Sequence, residues 1–262
     1  MVFKKIKRAT QMYAFLIRNG IFKKDTFVSI TAYTLLALKK RMGFSSELSA
    51  KIKMWRKVNL NLKKTKINCR TGHIGLIEEN FLKRNLDLGN GDVIDCGANI
   101  GLFTLANKDK IKSKVICVEP DSGNLEFLKN NLKINGINNA IIEEKAISDK
   151  EGEAIFTMTE CGVGSFLGEG NKKNEIKTKV KLTTIDSITR KHKLNPSFIK
   201  IDIEGQEIEA LKGMKDTLNS FSPTVFIEIH KEEYEDMIYS FLRDFGYTDF
   251  KKCVWDGILC NK

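Results

Sequence analysis

Two groups of residues in this sequence have the types and spacing to do chemistry. The first is the run Asp95-Cys96-Gly97-Ala98-Asn99-Ile100-Gly101, directly after an apolar stretch. Gly97 lets the backbone turn sharply and Gly101 lets a following helix pack close. A turn that opens a helix also offers backbone N–H groups to a ligand. Glu119 stands about 20 residues further on, where a carboxylate accepts both hydroxyls of a ribose. The run lacks the three glycines that bring a backbone against a pyrophosphate. A cofactor with a ribose and no phosphate fits better, and S-adenosylmethionine is such a molecule. Taken alone, the glycines also suit a plain strand-to-helix turn, and Glu119 a solvated strand end. Together and in register they point to a cofactor.

The second group is Asp202, Glu204, Glu228 and His230, each just beyond an apolar run. Parallel strands of an open α/β sheet end at one edge, where ligands bind. Carboxylates and an imidazole gathered there are costly without a purpose. A hydroxyl is a poor nucleophile at neutral pH and needs a base, or a metal that lowers its pKa. Asp202 or His230 can be that base, with Glu204 beside them. Asp202 with Glu228 can hold Mg²⁺ or a similar oxygen-seeking ion, whose identity stays open. The competing structural reading is that Asp202 and Glu204 cap a helix beginning near Gln206. His73 and His192 lie in polar, loop-like surroundings and are read without a ligand role. Gly162-Val163-Gly164-Ser165 is either a flexible loop tip or a cover over an acceptor site.

These residues need a scaffold, and the chain supplies one. Short Val- and Ile-rich runs at 93–96, 115–119, 140–143, 198–203 and 224–229 read as buried parallel strands. Leu125, Leu128 and Leu132 recur at helical spacing before Gly136. Ile208, Leu211 and Leu218 mark another helix, and Tyr234, Met237, Ile238, Phe241, Leu242 and Phe245 a third before Gly246. Alternating strands and helices predict right-handed βαβ units and a mostly parallel sheet. Residues 151–187 break the alternation and predict an antiparallel hairpin or an excursion inserted in the sheet order. A helix is expected over 74–86, then a turn at 88–92.

Charge divides the chain unevenly. Residues 1–70 carry 18 Lys and Arg against Asp25 and Glu47 alone, within a total net charge of +11, so the remainder is net acidic. The expected organisation is a basic, mainly helical extension over 1–70, with a strand at 58–62, and a catalytic domain over 71–262. The basic segment is interleaved with aromatics, as in helices that lie on anionic membranes. A solvated helical cap and a nucleic-acid-binding arm are the other readings of it. None of the six cysteines forms a C-x-x-C pair, so a zinc ribbon is not expected, and Cys96 and Cys117 read as buried small hydrophobes. Neither a signal peptide nor a membrane span is expected. The expected location is the cytoplasm, with peripheral membrane contact through the basic segment.

The motifs resemble those of the FkbM family of S-adenosylmethionine-dependent methyltransferases. The likeness rests on Val93 to Gly101, Val118-Glu119-Pro120, Ala146-Ile147-Ser148-Asp149 and Thr184-Ile185-Asp186. It continues in Ile199-Lys200-Ile201-Asp202-Ile203-Glu204-Gly205 and Phe226-Ile227-Glu228-Ile229-His230. It implies a class I, Rossmann-like seven-stranded methyltransferase sheet with helices on both faces. It also implies O-methylation of a sugar, glycolipid or natural product. By the same resemblance Asp95, Gly97, Asn99 and Gly101 would line the methionine end, Glu119 would hold the ribose, and Ala146, Ile147 and Ser148 would lie near the adenine. The rival readings are an RNA methyltransferase, prompted by the basic segment, and a binding module that has kept the fold without the reaction.

Overall fold

The computed structural model describes residues 57–62, 64–70, 73, 76–77, 80–81, 86–159, 162–170, 175–253 and 257–262. Of the basic, mainly helical extension expected over 1–70 and its membrane-docking surface, residues 1–56 lie outside the described residues. Of the helix expected over 74–86, residues 76, 77, 80, 81 and 86 are described; the first four are helical and Leu86 is not.

The described chain opens with strands β1 (Lys57–Leu62) and β2 (Thr65–Arg70), followed by β3 (Asp92–Cys96), helix α1 (Leu102–Asn107), β4 (Val115–Val118), α2 (Ser122–Ile134) and β5 (Ala140–Glu143). Four short strands come next: β6 (Ala146–Ile147), β7 (Gly152–Met158), β8 (Phe166–Leu167) and β9 (Ile176–Thr183). Then follow α3 (Ile185–His192), β10 (Pro196–Ile201), α4 (Glu207–Lys212), α5 (Lys215–Phe221), β11 (Thr224–Glu228), α6 (Tyr234–Asp244), β12 (Asp249–Lys252) and β13 (Gly257–Asn261).

Seven strands form one sheet in the order β12-β13-β11-β10-β3-β4-β5. β11, β10, β3, β4 and β5 are parallel, and β13 runs antiparallel between β11 and β12. Alternate residues of the strands enter two cores, as the two-residue period of a strand requires. Ile94, Ile116, Ile199, Ile201, Val225 and Ile227 pack with α3, α4, α5 and α6. Val93, Val115, Cys117, Phe198 and Phe226 pack with α1 and α2 on the other face. Helices therefore cover both faces of a seven-stranded, mostly parallel sheet, the architecture that the sequence resemblance implies. Cys96 and Cys117 are buried thiols within it.

Three features depart from the sequence expectation. Residues 151–187 do not insert into the main sheet but build a second one, ordered β6-β9-β7-β8. The switch is made by β6, which pairs Ala146 and Ile147 in parallel with Leu182 and Thr183 of β9. The single helix expected through Ile208 and Leu218 is two helices, α4 and α5. They part at Gly213, where an added Cβ would lie 2.4 Å from the carbonyl oxygen of Ser148. His73, placed among loop residues by its polar neighbours, is fully buried.

The expected strand at 58–62 is β1, and its partner β2 makes a hairpin of the end of the segment assigned to the basic extension. Its apolar face is not detachable surface. Leu60, Leu62, Ile67 and Cys69 are buried against Ile100, Leu102, Leu105 and Phe127. Two asparagines one turn apart, Asn131 on α2 and Asn135 at its C-cap, then act as a strand edge would. Asn131 accepts from the Asn68 amide (2.7 Å) and donates to its carbonyl (2.9 Å), and Asn135 does the same for Lys66 (2.9 and 2.7 Å). Side-chain amides can do this because each carries a donor and an acceptor. The hairpin thus shares a core with α1 and α2. Truncating its central core residue, Ile67→Ala, is expected to cost about 2–5 kcal/mol of stability. Denaturant unfolding will measure this, and a loss below about 0.5 kcal/mol, typical of a surface change, would show the hairpin to be an appendage.

Candidate active site

The turn after β3 is shaped by close approach to the turn after β10. Gly97 has φ 75°, and a Cβ there would lie 1.9 Å from the carbonyl oxygen of Asp202. The Asp202 amide in return donates to the Cys96 carbonyl at 3.2 Å. The two turns therefore cross with no room for a side chain. This crossing lies where β3 separates β4 from β10, the point at which open sheets of this kind bind ligands.

Every amide from residue 97 to 101 already has a protein acceptor. Gly97 and Ala98 donate to the Val118 carbonyl (3.0 and 2.9 Å), Asn99 to Glu119 Oε2 (2.8 Å), Ile100 to Asn99 Oδ1 (2.8 Å) and Gly101 to the Ala98 carbonyl (2.8 Å). The expectation that this turn offers N–H groups to a ligand is corrected. Its amides are spent on holding the turn itself, which leaves no cradle for a phosphate.

One of these acceptors, Glu119, is held from two sides. Its Oε1 accepts from the Asp121 amide and its Oε2 from the Asn99 amide, each at 2.8 Å. Burial pushes its carboxyl up to about 7; the Asp121 charge adds to the rise and the two amide bonds oppose it. Each oxygen keeps a lone pair for a further donor.

Behind the turn lies a buried cation. Lys200 Nζ donates to the Gly97 carbonyl (2.9 Å) and pairs with Asp95 Oδ1 (3.2 Å) and Asp202 Oδ2 (3.3 Å). Asp95 is fully buried and also accepts from Thr104 Oγ1 at 3.0 Å. Asp95 therefore fixes Lys200 rather than lining a cavity.

The second group gathers beyond β10 and β11. His230 Nδ1 lies 2.8 Å from Oε1 of the fully buried Glu207, which also accepts from the Gly205 amide at 2.9 Å. His230 Nε2 faces Glu204 Oε2 at 3.5 Å and Asp202 Oδ1 at 3.7 Å. Burial alone would lower the imidazole pKa, but the Glu207 bond and the charges of Glu204 and Asp202 raise it to about 9. Burial also raises Glu204 above the usual carboxylate range. Glu204 has φ 53°, a left-handed conformation that a non-glycine residue adopts at a cost of roughly 1–3 kcal/mol.

Both groups line one cleft of about 1000 Å³, open mouth included. It brings together Gly97, Asn99, Glu119, Ala146, Ile147, Asp202, Glu204, Glu228 and His230. Asp95, Gly101 and Ser148 stand apart. Gly101 packs toward Leu128 of α2, and the Ser148 amide is bonded to the Thr183 carbonyl at 2.9 Å. The loop of Gly162, Val163, Gly164 and Ser165 covers the cleft. The Gly162 carbonyl accepts from Asn99 Nδ2 (3.0 Å) and Asn124 Nδ2 (2.9 Å), and Ser165 Oγ donates to Asp121 Oδ2 (3.0 Å). His73 is buried nearby: it accepts from the Arg70 amide at 3.3 Å, and burial together with the Arg70 charge lowers its pKa to about 4. His192 pairs with Glu143, away from the cleft.

Sequence reasoning left Lys200 and Glu207 without a role. For Lys200 the signal was present, since a lysine amid Phe198, Ile199 and Ile201 in a buried strand needs a counter-charge. Nothing local marked Glu207, whose partner lies in a different element.

A family model described as the methyltransferase FkbM domain matches residues 95–248. A curated relative from Jannaschia sp. (strain CCS1), assigned to the methyltransferases, is 26% identical over 174 residues, 59% of this chain and 61% of its own. Methyltransferase FkbM from Methylobacillus flagellatus KT is a similar solved structure, at 22% identity and TM-score 0.49, covering 69% of this chain and 45% of its own. Precorrin-6y C5,15-methyltransferase from Geobacter metallireducens GS-15 follows at 14% and 0.42, covering 71% and 86%. The chain thus spans less than two thirds of the curated relative and under half of the FkbM structure.

Removing the buried cation strands Asp95. Lys200→Met is expected to destabilise the protein by about 3–5 kcal/mol, the cost of breaking a buried ion pair from one side. Chemical denaturation will test it; a loss under about 1 kcal/mol would mean the pair behaves as an exposed one.

Proposed function

The chain belongs to the FkbM methyltransferase family, and we propose that it transfers the methyl group of S-adenosylmethionine to a hydroxyl of a sugar, glycolipid or natural product. One observation carries this reading: a ribose-ready carboxylate and a proton-accepting cluster line the same covered cleft. The self-bonded turn supports the choice of cofactor. Its amides are occupied, which disfavours a phosphate-bearing nucleotide, while Glu119 retains lone pairs for two hydroxyl donors. Ala146 and Ile147 supply apolar walls for a flat base.

Bound there, S-adenosylmethionine supplies an electrophilic methyl carbon. The chain must then orient the acceptor and remove its proton. Glu204 is the residue best placed to accept that proton. Its strained backbone is retained in the cleft, its carboxyl is made more basic by burial, and the Gly164 loop lies over it. Asp202 and His230 sit beside it to position the hydroxyl, and the loop over the cleft limits competing water. A tritiated methyl donor offered with glycan, natural-product and RNA acceptors tests the whole reading. Label in an alkali-stable ether supports it, and label confined to RNA would replace it with the RNA rival.

Two predictions refine it. Ribose hydroxyls donate to Glu119, so binding needs the ionised carboxylate. With a pKa of about 7, affinity for S-adenosylmethionine should be about tenfold weaker at pH 6 than at pH 8, with proton uptake by the buffer. Glu119→Gln should bind at least roughly tenfold more weakly and lose the pH dependence. Calorimetry at several pH values decides this; a flat wild-type profile would remove Glu119 from the site. Separately, Glu204→Gln should slow single-turnover transfer by about 10²–10⁴-fold while leaving cofactor affinity nearly unchanged. Wild-type rates in this variant would exclude Glu204 as the base.

A further inference from the structure

The geometry points to a divalent-cation site formed by Asp202, Glu228 and His230 in the floor of the cleft. This deepens the methyl-transfer reading and rests on it for its purpose, though the cation is testable without any transfer.

One ligand atom from each of these three residues lies within 4.8 Å of the others. Ligands bound at about 2.0–2.2 Å stand roughly 3–4 Å apart around an ion, so small side-chain rotations close the set. A second observation concerns the imidazole. Its Nδ1 is held at 2.8 Å by Glu207, a fully buried carboxylate that the Gly205 amide anchors in turn. A carboxylate behind a histidine is how metal-binding imidazoles are commonly oriented. It leaves Nε2 directed at the carboxylates, yet at 3.5 Å from Glu204 and 3.7 Å from Asp202 it is beyond good hydrogen-bond range. The 3.7 Å between Nε2 and Asp202 Oδ1 matches the spacing of two ligands on one ion.

Charge argues the same way. Asp202, Glu204, Glu207 and Glu228 surround one imidazole, and the nearby Lys200 is shared with buried Asp95. Anions at such density in a half-buried site favour a multivalent counter-ion. Two carboxylates, one imidazole and no thiolate suit an ion of the Mg²⁺, Mn²⁺ or Fe²⁺ class, and the nitrogen donor favours Mn²⁺ among the oxygen-seeking ions. A hydroxyl bound to the ion would lose its proton more readily, and Glu204, outside the ligand set, would receive that proton.

Mn²⁺ alone is the probe. The full chain, stripped with EDTA, is titrated at neutral pH by calorimetry, with loss of the free Mn²⁺ electron paramagnetic resonance signal as a second reading. One ion per chain is expected. Glu228→Gln and Asp202→Asn should each weaken binding at least tenfold, and the positioning variant Glu207→Gln by about 10–100-fold. Mn²⁺ should raise the Tm of the wild type but not of Glu228→Gln. If Asp202→Asn fails to fold, the isosteric Glu228→Gln carries the test. No saturable uptake at millimolar Mn²⁺, or equal affinity in wild type and Glu228→Gln, would overturn the site. Methyl transfer persisting in excess EDTA would likewise overturn it while leaving the transfer reading standing. Mn²⁺ uptake in a chain that fails to bind S-adenosylmethionine would sink the transfer reading and leave the cation site.

Discussion

An ammonium group cannot be taken into a protein interior unless its charge is answered and its protons are bonded. Lys200 meets that condition with Asp95, Asp202 and the Gly97 carbonyl, which come from two strands and the turns beyond them. Because those partners surround one nitrogen, the ends of β3 and β10 are held at a fixed separation. That separation is short enough to exclude any side chain at position 97. The half of the cleft beside Glu119 and the half beside His230 are set against each other by this contact.

From it the order spreads outward through polar bonds rather than through apolar packing alone. The turn from residue 97 to 101 spends its amides on Val118, Glu119 and itself, which fixes Glu119 in place. Asn99 and Asn124 then hold the loop over the cleft through one carbonyl, that of Gly162. Asn124 also accepts from Arg70 at 3.0 Å, whose guanidinium lies over the Phe127 ring. A chain of contacts thus runs from the N-terminal hairpin to the cleft cover. An ordered cover above a preorganised carboxylate suits a reaction that must exclude water.

The accessory sheet solves a separate problem. A cover loop attached directly to the main sheet would need long, unsupported connections. Here β7 and β9 pair along seven residue pairs and carry the loop between them. β6 links that pair to the chain leaving β5, so Ala146 and Ile147 serve both as sheet members and as cleft wall.

The sequence by itself determined the parallel strands, because unbroken Val and Ile runs can only be satisfied by burial on both faces. It also determined that Gly97, Glu119, Asp202 and His230 share a sheet edge, since strand ends in this architecture face one way. Local pattern could not show where a bond goes. The same residues that suit a ligand-binding turn bind their own amides instead, and Asp95 serves a lysine 105 positions away. β2 reads as a polar, basic stretch until α2 and its C-cap supply Asn131 and Asn135 to complete it. β12 and β13 are short, and their identity as strands comes from β11, against which β13 is laid. Gly101 and Ser148, site residues by resemblance, meet other elements in the fold: Gly101 packs toward Leu128 and the Ser148 amide bonds to the Thr183 carbonyl. Periodicity is a property of neighbours along the chain, whereas a hydrogen-bond or charge partner is chosen by proximity in space, and only the folded structure decides that.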